Sequence, residues 1–188
     1  TLLGNLTADV LTPALHAETG CENVGPEKVR KAAPLDRVVR GGDTVMLGET
    51  VLEVSDAPGH TLGHIVYRAP SDGQAFVGDV LFTLGCGRLF EGTPDQMWDS
   101  LRTLAAWPDE TTVWCAHEYT AANARFALSL DDRPEMRARA AEIMAMRERG
   151  QPTVPTTIGS EKAFNPFLRA ADAADFAARR AAKDGFTG

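Results

Sequence analysis

The sequence predicts an α/β fold, with strands and helices mixed around a sheet core over residues 1–118 and a helical lobe over residues 119–188. Three features predict it. Two hairpin patterns follow one another between residues 43 and 79, and a capped amphipathic helix from Thr93 leads into a short strand that stops at His117. Beyond that point the apolar period becomes helical.

The first hairpin is "DTVMLGETVLEVSD", residues 43–56, in which apolar and polar residues alternate on either side of a tight turn at Gly48-Glu49. The second is "HIVYRAP", the turn "SDGQ" and "AFVGD". Between them "APGHTLG" reads as a loop, because Pro58, Gly59 and Gly63 break any continuous helix or strand. In "TPDQMWDSLRTLAAWP", Thr93 and Gln96 fit a capping box, Pro94 suits the first turn and Pro108 closes the pattern. Met97, Trp98, Leu101, Leu104 and Ala105 share one face of that helix. A short strand, "TTVWCA", then runs into His117. "TAANARFALSL" and "PEMRARAAEIMAMRERG" are helical, the second opened by Pro134 and stopped by Gly150. "QPTVPTTIGSEKAFNPF" reads as a loop, and the Ala-rich "RAADAADFAARRAAKDGF" as a closing helix. His16 falls on a further helix, as a surface residue.

Composition bounds the function. With 188 residues, 44% hydrophobic and 24% charged, the chain is an ordinary globular protein. A formal charge of -7 argues against nucleic acid or an anionic membrane as partner, since both need a basic surface that displaces counterions. No apolar run approaches the roughly 20 residues that span a bilayer, and no signal-peptide pattern opens the sequence, so the default is a cytoplasmic protein; a monomer is the separate expectation for its assembly. Cys21, Cys86 and Cys115 are odd in number and lack CxxC spacing, which predicts reduced, mostly buried thiols. The opening "TLL" has the character of a strand interior and starts without Met, which predicts a processed or incomplete chain.

His60 follows the strand that ends near Asp56, Asp79 ends the strand "AFVG", and His117 ends "VWCA". Strand exits are where a sheet holds a side chain rigidly while a loop exposes it. Imidazole and carboxylate suit zinc or iron, and one carboxylate can bridge two ions. Taken alone, a His or Asp at a strand end is more often a turn or cap residue than a metal ligand.

The motifs "APGHTLGH", "FVGDVLF", "GCGRLFEGT", "CAHEYT", "PTVPTT" and "NPFLR" occur in this order, and together the sequence resembles glyoxalase II, the hydroxyacylglutathione hydrolase of the metallo-β-lactamase superfamily. The resemblance covers nearly the whole chain and implies an αβ/βα sandwich whose edge holds a pair of zinc, iron or manganese ions. His60 then matches a ligand of the first ion, Asp79 the carboxylate shared by both, and His117 a ligand of the second. The implied reaction is hydrolysis of S-lactoylglutathione to glutathione and D-lactate by a metal-held hydroxide, with no side-chain nucleophile. His64 matches a supporting residue rather than a ligand. Arg88, Phe90, Tyr119, Arg180 and Lys183 match glutathione contacts, Phe90 standing where relatives often carry Tyr; Arg180 and Lys183 also suit a helix C-terminus whatever they bind.

One segment departs from the family. Its "THxHxDH" corresponds here to "GNLTADV", residues 4–10, where only Asp9 remains and Asn5, Thr7 and Val10 replace histidines. The resemblance therefore implies a metal site centred on Asp9, Asp79 and His117, with one ion or none in place of two. It also implies missing N-terminal strands, since relatives carry about fifty residues there, a fraction of an ordinary domain. Three alternatives follow: a family member that binds glutathione without turnover, an incomplete or frame-disturbed version of a normal enzyme, and a mononuclear iron oxygenase.

Overall fold

The structure is a computed structural model that describes residues 14–31 and 35–188. Among these, a six-stranded sheet runs in the order β10-β9-β6-β5-β4-β3. Its members are β3 (Thr44–Leu47), β4 (Thr50–Asp56), β5 (Ile65–Ala69), β6 (Gln74–Gly78), β9 (Thr112–Cys115) and β10 (Thr156–Thr157). The pairs β3/β4, β4/β5, β5/β6 and β9/β10 are antiparallel, while β6 and β9 are parallel. Two small sheets flank it, β1 (Val24–Gly25) with β2 (Arg37–Val38), and β7 (Leu81–Phe82) with β8 (Gly85–Cys86).

Both predicted hairpins form. Gly48 takes φ +61°, the left-handed conformation that a tight two-residue connection needs and glycine adopts freely. β5 reads as a nearly continuous buried run because both of its faces are covered. Val66 joins Ala75, Val77 and Val113 under the helices, while Ile65 and Tyr67 turn to the other face with Val39, Val45 and Val54.

Residues 14–19 form α1, and α2 (Pro94–Ala105) supplies the connection between parallel strands β6 and β9. Its capping box is complete, with the Thr93 hydroxyl accepting from Gln96 N and Gln96 accepting from Thr93 N. Met97, Leu101 and Leu104 are buried as predicted, while Trp98 packs at the margin of the core. α3 (Thr120–Leu130), α4 (Pro134–Glu148), α5 (Ile158–Phe164) and α6 (Ala173–Asp184) follow. Gly150 stops α4 with φ +69°. No helix among the described residues is long and apolar enough to cross a membrane.

The expected loop at 151–167 contains an edge strand and a helix. β10 pairs Thr156 with Val113 and Thr157 with Thr112, and the Thr157 hydroxyl caps α5 by accepting from Ser160 N. Local composition hid both, because β10 exists only through pairing with a strand more than forty residues earlier. Phe126, Ile158, Phe167 and Phe176 share one cluster with the sheet and α2, so the C-terminal helices and the sheet have a common core. Each fully buried phenylalanine in it contributes roughly 2 kcal/mol. The cysteines depart from expectation in one case: Cys86 is buried and Cys115 partly so, but Cys21 is exposed. His16 is partly exposed and its Nδ1 lies 2.8 Å from the Cys21 carbonyl.

At the corner between α3 and α4, Asp131 accepts from Arg133 Nε at 2.9 Å and from Arg169 Nη1 at 2.5 Å. Hydrogen bonding from Arg133, joined by Arg169, holds its carboxyl well below the ordinary range. Its folded pKa is depressed, so the unfolded state takes up the proton first as pH falls, and the stabilisation present above the unfolded value is lost on acidification. The melting temperature of Asp131→Asn should lie below that of the unaltered protein at pH 6. The gap should narrow progressively below about pH 4.

Candidate metal centre

Three strand exits bring His60, Asp79 and His117 together. His60 sits in the loop after β4, which is closed by Ala57 N donating to His64 O at 2.8 Å. That loop is held from outside: Phe90 N donates to His60 O, the Ser100 hydroxyl of α2 to Pro58 O at 2.7 Å, and Leu62 N to the Glu91 carboxylate at 2.8 Å. Glu91 also pairs with Lys28, which ties the loop to the 3-10 turn Glu27–Lys31. Asp79 directly follows β6, where Gly78 turns the chain with φ +53° and a Cβ would lie 2.8 Å from the His64 ring. His117 comes two residues after β9.

His60 Nε2 lies 3.9 Å from Asp79 Oδ2, and His117 Nε2 lies 3.1 Å from Asp79 Oδ1. The three side chains are 9%, 13% and 32% exposed, so the cluster is sheltered yet open on the His117 side. Two ligand atoms on one tetrahedral ion, each about 2.0–2.1 Å from it, lie roughly 3.3 Å apart. The His117–Asp79 separation of 3.1 Å is near that value, and the His60–Asp79 separation of 3.9 Å is longer. Among the described residues no set of three or more His, Cys, Asp or Glu side chains is arranged to hold one ion. The histidines instead face opposite oxygens of Asp79, a division that suits a carboxylate shared by two ions. Asp9, with Asn5, Thr7 and Val10, lies outside the described residues.

The surroundings orient the rings. His60 Nδ1 is 2.8 Å from the Arg88 carbonyl, which only accepts, so Nδ1 is the donor in that contact and Nε2 is the ring nitrogen turned toward Asp79. His64 Nε2 accepts from Asp79 N at 3.2 Å, as a neutral ring must, and burial pushes its pKa down, with Asp79 opposing. Its Nδ1 is buried without a partner among the described residues. His64 thus sits behind Asp79 as a support. Burial acts to raise the Glu118 carboxyl, but hydrogen bonds from the Thr153 hydroxyl and Thr153 N outweigh it and leave the group below the ordinary range. Glu118 thereby pins the His117 segment to residues 151–155.

Cys86 and Cys115 are no nucleophiles at neutral pH, because burial pushes both thiols up to about 11.

Two exposed aromatics border the cluster. Phe90 lies over His60 with ring centroids 4.8 Å apart, and Tyr119 stacks on His117 at the same distance, with Phe82 edge-on beneath. Arg88 is exposed, its Nε 3.6 Å from Asp184. Lys183 donates to Ala122 O at 3.1 Å, and burial lowers its pKa, with Arg180, Arg125 and Arg88 adding repulsion. Arg180 differs from expectation. Its side chain is 5% exposed, donates to Cys86 O at 2.9 Å and to Asp184 at 2.8 Å, and lies 5.0 Å over the Phe167 ring. That guanidinium is turned into the protein, where it joins α6 to β8.

Sequence reasoning missed the Arg88 carbonyl, Ser100, Glu91 and Glu118 as supports. None carries a local signal, since each acts through a partner between 28 and 42 residues away.

Residues 9–117 match the family model of the metallo-beta-lactamase superfamily, and residues 118–186 match that of the hydroxyacylglutathione hydrolase C-terminus. A hydroxyacylglutathione hydrolase of Maricaulis maris is 56% identical over 162 residues, covering 85% of this chain and 63% of its own length. One from Erythrobacter litoralis is 52% identical, covering 89% of this chain and 72% of its own. The chain thus spans about two thirds of the length of these relatives, and slightly less than that of the Maricaulis protein. Among solved structures, ETHE1 from Myxococcus xanthus superimposes with a TM-score of 0.65 at 28% identity, covering 90% of this chain and 61% of that one. BLEG-1 B3 metallo-beta-lactamase, at 21% identity and a TM-score of 0.59, shares the fold. Matches to both family models, together with half-identical relatives across most of its length, establish that the chain belongs to the hydroxyacylglutathione hydrolase family, within the metallo-β-lactamase superfamily.

Proposed function

We propose that the chain hydrolyses glutathione thioesters of 2-hydroxy acids, S-lactoylglutathione giving glutathione and D-lactate, with His60, Asp79, His117 and Asp9 as its metal ligands. The observation that carries this is the placement of two imidazole nitrogens against opposite oxygens of one sheltered carboxylate, in a chain of this family. Divalent zinc, iron or manganese at that position supplies a water ionised near neutral pH and polarisation of the thioester carbonyl.

The chain's own groups do the rest. The Arg88 carbonyl aims His60, and His64 holds Asp79 through its backbone N–H. Phe90 and Tyr119 flank the histidines and form apolar walls for the acyl group and the thioester sulfur. Arg88 and Lys183 supply the positive charge that the carboxylates of glutathione require. Arg180 serves by fixing Asp184 and the Cys86 carbonyl. Water, giving up one proton to solvent, adds as hydroxide to the carbonyl carbon, the C–S bond breaks, glutathione leaves as the thiolate, and the acid proton of the 2-hydroxy acid passes to the thiolate or to solvent. A division into a metallo-β-lactamase-like part, residues 1–118, and a glutathione-binding part, residues 119–188, is supported by the meeting of the two family models at residues 117 and 118. Three free cysteines favour a cytoplasmic setting.

The test is release of thiol from S-lactoylglutathione by the purified chain with added Zn²⁺, Mn²⁺ or Fe²⁺, beside a variant carrying Asn5→His, Thr7→His and Val10→His. Chelator-sensitive turnover that rises in the variant is the expected result. Turnover no faster than background in both proteins with every metal overturns the proposal.

A further inference from the structure

The hairpin of β7 and β8 separates two parts of the metal centre. Asp79 lies two residues before Leu81, and Arg88, whose carbonyl aims His60, lies two residues after Cys86. Its tip is Thr83-Leu84, and Leu84 is fully buried with φ +57°, a left-handed conformation that a residue with a Cβ does not favour. Something else must hold it.

Buried side chains from the C-terminal helices take up the polar groups of this tip. Glu161 of α5 is 0% exposed, and its Oε2 accepts from Leu84 N at 2.8 Å. Asn165, which caps the end of α5 and is also 0% exposed, donates from Nδ2 to Gly85 O at 3.0 Å and to Phe82 O at 3.2 Å. Asn123 of α3 donates to Thr83 O at 3.1 Å. The network closes on itself: Glu161 also accepts from Asn165 at 2.8 Å and from the Thr156 hydroxyl at 2.6 Å, while Asn165 Oδ1 accepts from Phe167 N and so sets its amide orientation. Burial pushes the Glu161 carboxyl up, and three donors, the Thr156 hydroxyl, Asn165 Nδ2 and Leu84 N, oppose that shift and satisfy its oxygens.

The geometry points to Glu161, Asn165 and Asn123 as positioning residues of the metal centre. They hold the tip of the hairpin whose ends carry Asp79 and the carbonyl that orients His60. This rests on the reading that His60, Asp79 and His117 bind divalent metal. Glu161 touches neither substrate nor ligand, and acts through the backbone of residues 79–88.

Glu161→Gln and Thr156→Val in the full chain test it, the second removing one hydroxyl while keeping side-chain shape. Co²⁺ affinity should fall by about 10-fold or more in Glu161→Gln, the scale seen when groups that orient metal ligands are lost. The value of kcat should fall with it while KM changes little, and Thr156→Val should move both in the same direction by less. In the metal-free protein the His60 Nδ1–H proton resonance should shift or exchange faster. A lower melting temperature with Co²⁺ affinity, kcat and that resonance unchanged would show a purely stabilising role and overturn the inference. Should Glu161→Gln fail to fold, the same readouts on Thr156→Val decide. A displaced His60 resonance in a chain that neither binds Co²⁺ nor turns over would uphold the positioning role and remove the hydrolase reading.

Discussion

Asp79→Asn should reduce thioester turnover by about 10³-fold or more, because metal-assisted catalysis supplies several kcal/mol and each 1.36 kcal/mol is a factor of ten. The substitution keeps the shape of the side chain and one oxygen. It removes the charge and gives one of the two histidines an amide nitrogen, which cannot ligate as the carboxylate oxygen does. His64→Ala provides the contrast. It leaves Asp79 N without its acceptor while touching no ligand atom, so metal affinity should fall by about 10- to 100-fold. Metal titration beside steady-state kinetics checks both, and equal losses in the two variants would contradict the division between ligand and support.

The second large effect is steric. A Cβ added at Gly87 would overlap the Asp79 carbonyl oxygen and lie 3.1 Å from His60 Nδ1. Neither neighbour can yield as the tip of a flexible side chain would, since one is backbone and the other is fixed to the Arg88 carbonyl. Gly87→Ala should therefore cost about 3 kcal/mol, the upper part of the usual overpacking range. For a chain of this size that corresponds to a melting temperature lower by roughly 6–12 °C. Activity should fall even in the folded fraction, because the relaxation moves Asp79 and His60 apart. Gly73→Ala is the control: it takes φ +60° with nothing within 4 Å of the new methyl group, so only the left-handed conformation is penalised, by roughly 1 kcal/mol, with activity retained.

What the sequence showed depends on how local the cause was. The hairpin at Gly48 and the capping box at Thr93 are set by residues within four positions of each other, and both form as read. The meeting of His60, Asp79 and His117 was legible for a related reason: each lies within four residues of the end of a strand, and β4, β6 and β9 belong to one sheet, with only β5 between β4 and β6. Arg180 shows the opposite case. Near a helix end it reads as a surface cation, yet the Phe167 ring and a carbonyl 94 residues away decide its direction. Glu161, between Ser160 and Lys162, falls in a stretch that reads as a loop and is instead the centre of a buried network on α5. β10 was invisible because two threonines become a strand only beside β9.

Anomalous diffraction from a crystal of the chain soaked in Zn²⁺ tests the metal assignment most directly. Scattering is expected at about 2.0–2.2 Å from His117 Nε2 and Asp79 Oδ1, with any second ion at the same distance from His60 Nε2 and Asp79 Oδ2. Zinc bound only at other residues, with His60, Asp79 and His117 left free of it, would refute these three as ligands.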